Sequence, residues 1–239
     1  MHNVRLSSVA RDPLGTVAPV YIAHPFAPQP RTAMTQLLVD SRYASPYALS
    51  AFVALREKAV PFTLETVDLA VAPADFRHRA PTWRVPTLLQ GDFALTESSA
   101  IAEYIDEMHL GPRLYPMDPR QRAVVRQVQA WLRSDLLALR QDRNTFVVFY
   151  GTQAGPLSEA GQAAAQKLLQ VAGALLPPGR AHIASAWSIA DVDLALMLNR
   201  LALHGDPVPA QLRDYAAAQW QRPAVQEWLA LPRPPLDQP

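Results

Sequence analysis

The sequence predicts an α+β chain, in which a small mixed layer ordered β-α-β-α-β-β-α is followed by an all-α portion. Three observations carry that reading. Short β-type runs alternate with helical periods only before His109, a cluster of Gly111, Pro112, Pro116 and Pro119 follows, and every period beyond it is helical. Residues 1–34 hold five prolines and no sustained period, so they read as a disordered leader, with Met34 as a candidate start.

The elements follow in order. Gln36 to Val39 is the first strand. Ser45-Pro46 opens a helix with serine as cap and proline at the first helical position, and its buried face is Leu49, Phe52, Val53 and the stem of Arg56. Phe62 to Val67 alternates as a second strand, and Pro73 to Trp83 is irregular or weakly helical. In "RVPTLLQGDFALTESSAIAEYI", Pro86 cannot donate to a ladder and so stands at a strand's first residue, an edge or a bulge. Thr87 to Gln90 and Phe93 to Leu95 pair around Gly91-Asp92. Thr96 or Ser98 then caps a helix striped by Ile101, Ile105 and Met108. Beyond the linker, Val124, Val128, Trp131, Leu132 and Leu139 form one long stripe. Ser158 to Leu175 is an alanine-rich helix. Ser188 to Leu203 is apolar nearly all round and should be buried, with Ser188 and Asp191 as a capping box. Short helices near Pro209 to Ala217 and Pro223 to Leu231 precede a proline-rich tail. The domains are therefore 35–110 and 119–231, flanked by the leader and by a flexible tail at 232–239.

Composition removes several function classes. A net charge of +1 offers no footprint for nucleic acid or an acidic membrane surface, and no apolar run reaches the ~18 residues of a spanning helix. With no cysteine, the chain has no disulfide, no thiolate metal ligand and no thiol nucleophile of its own. There is no GxGxxG, GxxxxGK[ST], HExxH or GxSxG, and the six histidines have no metal spacing.

From Gln36 to Leu231 the sequence resembles the cytosolic glutathione S-transferases. "SPYALSAFVALREKAVPF" looks like that family's first helix and second strand. "APTWRVPTLL" is similar to its Val-Pro segment, "TESSAIAEYI" to its Glu-Ser helix start, and "SIADVDLAL" to the buried helix of its second domain. "QAWLRSDL", "ADVDLALMLNRLALHGD" and "AQWQRPAVQ" bring it closest to the YfcF-like bacterial transferases. Ala80 and Trp83 depart from the usual asparagine and glycine, which bears on the loop rather than the fold.

The resemblance implies a thioredoxin-like N-terminal domain that binds glutathione as co-substrate, and a helical-bundle domain that takes an apolar electrophile or hydroperoxide. It implies a cytoplasmic homodimer needing no metal, no nucleic acid and no membrane. Pro86 would be cis, with Val85 offering its N–H and C=O to the peptide. Glu97 would take the glutamyl ammonium, and Ser98 with the helix start its carboxylate. Arg84, or Arg77 or Arg79, would meet the glycine carboxylate. Ser45 would face the thiol and favour its ionised form, with Tyr43 as the competing hydroxyl.

Bland readings stand beside these. Ser45 and Ser98 are equally good as helix caps. Trp131, Trp187, Trp220 and Trp228 read as packing, while Arg133, Asp135, Arg140 and Tyr150 fit either an interdomain cleft or a solvated helix face. A non-catalytic binding or regulatory protein on the same fold is the alternative function.

Overall fold

The computed structural model describes residues 34–236. Apart from exposed Met34, the leader lies outside the described residues. Four strands form one mixed sheet in the order β2-β1-β3-β4. Strand β1 (Thr35–Asp40) runs parallel to β2 (Phe62–Val67) and antiparallel to β3 (Thr87–Gln90), which pairs antiparallel with β4 (Phe93–Thr96). A parallel neighbour needs a crossover, which helix α1 (Pro46–Glu57) supplies. The β3–β4 hairpin turns at Gly91, whose φ of 62° suits a residue without Cβ.

Successive side chains of β1 point to opposite faces of the sheet. Leu37 and Val39 join the main core under α1 and α3 (Ser98–Met108), whereas Leu38 packs on the other face with Val67, Phe76, Ala80 and Val85. Phe76 belongs to α2 (Phe76–Arg79), a single turn inside the stretch read as irregular or weakly helical. Covered on both faces, Leu37 to Val39 are fully buried.

Helices α4 (Pro119–Ser134), α5 (Leu137–Asp142), α6 (Thr145–Tyr150), α7 (Glu159–Leu175), α8 (Ile189–Ala202), α9 (Ala210–Trp220) and α10 (Pro223–Leu229) form the second layer. As expected, α8 is buried nearly all round, because α4, α6, α7, α9 and α1 all pack against it. Trp228 of α10 reaches across to Phe52 of α1 at 5.3 Å between ring centroids, and both side chains are essentially inaccessible. Burying a large apolar side chain is worth ~1.5–3 kcal/mol, so this pair holds α10 to α1. The architecture is a thioredoxin-like layer joined to a helical bundle.

Several expectations fail for identifiable reasons. Met108 is 60% exposed, since α1, which covers Ile101 and Ile105, ends before it. The α4 seam is Val125, Val128 and Leu132 rather than Val124, a choice that adjacent valines leave open until α8 supplies the partner. Leu139 is on a separate helix, because Asp135 is extended and Leu136 sits at φ 61°. Arg56 is exposed: its guanidinium lies over the rings of Phe52 and Phe62 and pairs with Glu227. Neither Thr96 nor Ser98 caps α3. Glu97 occupies the cap position with no side-chain cap bond, and Ser98 is the first helical residue. The tail is anchored as far as Arg233, which donates to the carbonyl oxygens of Trp228, Leu229 and Tyr43.

Candidate functional site

The site is organised from the end of β1. The Asp40 carboxylate accepts from the N–H groups of Ala44 (2.8 Å) and Ser45 (2.9 Å), which fixes the loop entering α1. Pro46 then occupies the first turn, and the Ser45 hydroxyl oxygen accepts from the Ala48 N–H at 3.2 Å. The cap uses a lone pair only. The hydroxyl proton has no acceptor recorded among the described residues, and half-buried Ser45 lines a cleft of about 790 Å³.

Across that cleft stand Arg84 and Val85, with Arg77 stacked on the Trp83 ring at 4.8 Å and Phe146 contributed by α6. The Val85-Pro86 peptide is cis, as the resemblance implies. Among the described residues no backbone hydrogen bond is recorded for the N–H or C=O of Val85, whereas the Thr87 hydroxyl donates to the Arg84 carbonyl at 2.8 Å. An extended ligand can therefore pair with Val85 in strand fashion.

The remaining candidates separate. Pro86, Glu97 and Ser98 do not line this cleft. Glu97 is exposed, with φ 70° and ψ 111°, a conformation that costs about 1–3 kcal/mol and is tolerated where surroundings enforce it. Ser98 is buried, and its hydroxyl accepts from the Arg133 guanidinium at 2.9 Å. Arg79 makes two bonds of 2.6 Å to Glu65, which hold the Glu65 carboxyl below its ordinary range. Arg77 and Arg84 are thus the cationic candidates that face the cleft. Tyr43 does not face it: its ring is edge-on to Trp228 at 5.8 Å.

Of the residues left between two readings, Trp220 and Trp228 are buried, and half-buried Trp187 lies under Arg222. Tyr150 donates to the Arg42 carbonyl at 3.2 Å, and Asp135 pairs with Lys167. Arg133 and Arg140 face a second, smaller cavity with Tyr47 and Arg200. Sequence reasoning missed Asp40, Tyr47 and Arg200. An Asp at a strand end just before Ser-Pro, and a lone arginine in an otherwise apolar helix, were the available signals.

Comparison with known proteins is consistent with this geometry. A glutathione S-transferase N-terminal domain matches residues 44–108 and a C-terminal domain of the same name matches 118–233. A crystal structure of a glutathione transferase homologue from Burkholderia, with bound glutathione, is 43% identical. The match covers 82% of this chain and 96% of that one, with a TM-score of 0.69. Mouse glutathione S-transferase theta-3 is 31% identical over 115 residues, 45% of this chain and 48% of the relative. A stringent starvation protein A homologue from Haemophilus ducreyi is 32% identical over 93 residues, 39% of this chain and 44% of that one. The chain thus spans about half the length of the curated relatives it matches.

Proposed function

We propose that this chain, which belongs to the glutathione S-transferase family, is a transferase that activates the thiol of bound glutathione through Ser45. One observation carries the reading: the Ser45 oxygen serves as helix cap, its proton has no acceptor recorded among the described residues, and Ser45 lines a cleft that Val85 also lines. A thiol with an ordinary pKa of ~8.5 is only a few per cent ionised at pH 7. A hydroxyl donating to the sulfur stabilises the thiolate, and the N-terminus of α1 adds a favourable dipole. Tyr43 is placed against Trp228, which favours Ser45 over it.

In this reading 35–110 is the glutathione-binding domain and 119–231 the helical domain facing the second substrate. Val85 pairs with the cysteinyl backbone, Arg84 or Arg77 meets the glycine carboxylate, and Glu97 takes the glutamyl ammonium. The Ser98 oxygen accepts from Arg133, which leaves the hydroxyl proton to join the α3 N-terminal N–H groups in receiving the glutamyl carboxylate. The thiolate attacks an electrophilic carbon, forming a C–S bond as the leaving group departs with its electron pair. With a hydroperoxide it attacks the outer oxygen, the O–O bond breaks and the alcohol leaves; a second glutathione then completes the disulfide and releases water. We place the chain with the YfcF-like transferases and as a homodimer on the same footing.

The test is retention on immobilised glutathione followed by turnover of 1-chloro-2,4-dinitrobenzene and of cumene hydroperoxide. Absence of retention rejects the reading. Retention without either turnover favours the alternative, a non-catalytic binding or regulatory protein on the same fold.

A further inference from the structure

Beside the main cleft lies a cavity of about 20 Å³, lined among others by Arg133, Arg140 and Arg200 with Tyr47 and Asp193. Three guanidinium groups there face one carboxylate. That carboxylate is already shared, because one Asp193 oxygen accepts from Gln129 at 2.7 Å and from both terminal nitrogens of Arg133 at 3.2 Å. Arg140 donates one nitrogen to the Tyr47 hydroxyl at 3.1 Å, and Arg200 donates one to the Arg143 carbonyl at 2.6 Å.

What remains is unusual. The Nε–H groups of Arg140 and of Arg200 are both shielded from solvent and have no acceptor among the described residues. Arg200 is only 3% exposed. Burial, and then the neighbouring Arg140, lower its pKa to about 10, so it still carries a charge at neutral pH. A buried charged donor without an acceptor costs more than the ~1–3 kcal/mol of a neutral one, and two guanidinium groups held together add repulsion. An anion would remove both costs at once.

The cavity volume holds roughly one water-sized group, enough for a carboxylate oxygen but not for the body of a ligand. The body has a place, because Pro46 and Tyr47 line both this cavity and the 790 Å³ cleft. We infer that the second substrate is a carboxylate-bearing electrophile, whose carbon skeleton lies in the main cleft and whose carboxylate is received by Arg140 and Arg200. The inference rests on the transferase reading for the reaction but not for the anion site. A glutathione carboxylate has the same chemistry, so the experiment must separate the two sources.

Benzoate is titrated calorimetrically into the full chain, with and without saturating S-methylglutathione. Turnover with glutathione is then compared for 4-chloro-3,5-dinitrobenzoate and 4-chloro-3,5-dinitrobenzamide, each divided by its uncatalysed rate. The expected result is benzoate binding that S-methylglutathione leaves intact, and a rate enhancement at least tenfold larger for the benzoate than for the benzamide. Arg140→Met and Arg200→Met should bring that ratio toward one, and Arg140→Lys should restore part of it. Should Arg200→Met fail to fold, the half-buried Arg140 pair carries the test. Equal enhancements in the wild type, a ratio unchanged in Arg140→Met, or benzoate displaced by S-methylglutathione each overturns the inference. Arginine-dependent benzoate binding with neither electrophile turned over rejects the transferase reading and supports the anion site.

Discussion

Asp191 offers the sharpest test of how the helical layer is held. It stands three residues into the Ser188 start of α8 and is completely buried. One carboxylate oxygen accepts from the Ser188 N–H at 2.8 Å and its hydroxyl at 3.1 Å. The other accepts from the Ile183 N–H at 2.9 Å and the Tyr215 hydroxyl at 2.7 Å. Asp191→Ala leaves two backbone N–H groups and the Tyr215 hydroxyl without their short partner. Hydrogen bonds to charged groups net ~1.5–3 kcal/mol each, but neighbours in one network do not add. Removing the buried charge also recovers its desolvation cost, so the expected loss is about 4–6 kcal/mol. Against a usual stability of ~5–15 kcal/mol that is severe, and at ~2–4 °C per kcal/mol it lowers the melting temperature by roughly 10–20 °C. Asp191→Asn keeps one acceptor oxygen and can turn its amide toward the Ser188 hydroxyl, leaving the Ser188 N–H unmatched, for about 2–3 kcal/mol. Urea unfolding followed by tryptophan fluorescence measures both. An alanine variant within about 1 kcal/mol of wild type, or asparagine worse than alanine, would refute the reasoning.

Three further outcomes are expected. Ser45→Ala should raise the pKa of bound glutathione's thiol and cut turnover while leaving glutathione affinity within a few-fold, and its lost cap should cost about 1 kcal/mol. Tyr43→Phe should retain turnover, and the reverse pattern in thiolate absorbance and kinetics would make Ser45 a cap alone. Glu97→Gln should weaken glutathione binding by calorimetry. Glu97→Gly should weaken it too, yet be about 1 kcal/mol more stable than the Gln variant, because glycine accepts a φ of 70° without strain; equal stability in urea unfolding would mean that no strain is stored there. The Asp135 carboxyl is held at about 2 by Lys167 first, then by the Leu136 N–H and Trp131. Since the folded value lies below the ordinary 3.8, its contribution is present above pH ~4 and lost as pH falls toward 2. Half-exposed and screened, it amounts to about 1 kcal/mol, and Asp135→Asn should remove that part of the acid sensitivity seen in melting curves.

Local rules gave most of the elements, though not the break between α4 and α5 or the short helix α6. Proline after a capping residue marks the start of α1; alternation gives β2 at Phe62–Val67; Ser188 and Asp191 announce α8. The Ser45, Val85-Pro86 and Glu97-Ser98 motifs, read together, pointed to the family, and of their residues Ser45 and Val85 line the cleft. These signals act over three or four residues, which is the range at which side-chain spacing and backbone hydrogen bonding are set. What they left open depends on partners far along the chain. Ser98 meets Arg133 at a separation of 35 residues, so a local cap reading could not see which donor its oxygen accepts from. Tyr43 turns to Trp228, Arg79 to Glu65, and the α4 seam is settled only by α8. Arg140 and Arg200 converge beside Tyr47 because α5 and α8 are packed near the start of α1. A sequence shows two isolated arginines; only the tertiary packing buries their charges together, where the low dielectric makes an unpaired guanidinium costly and an anion welcome.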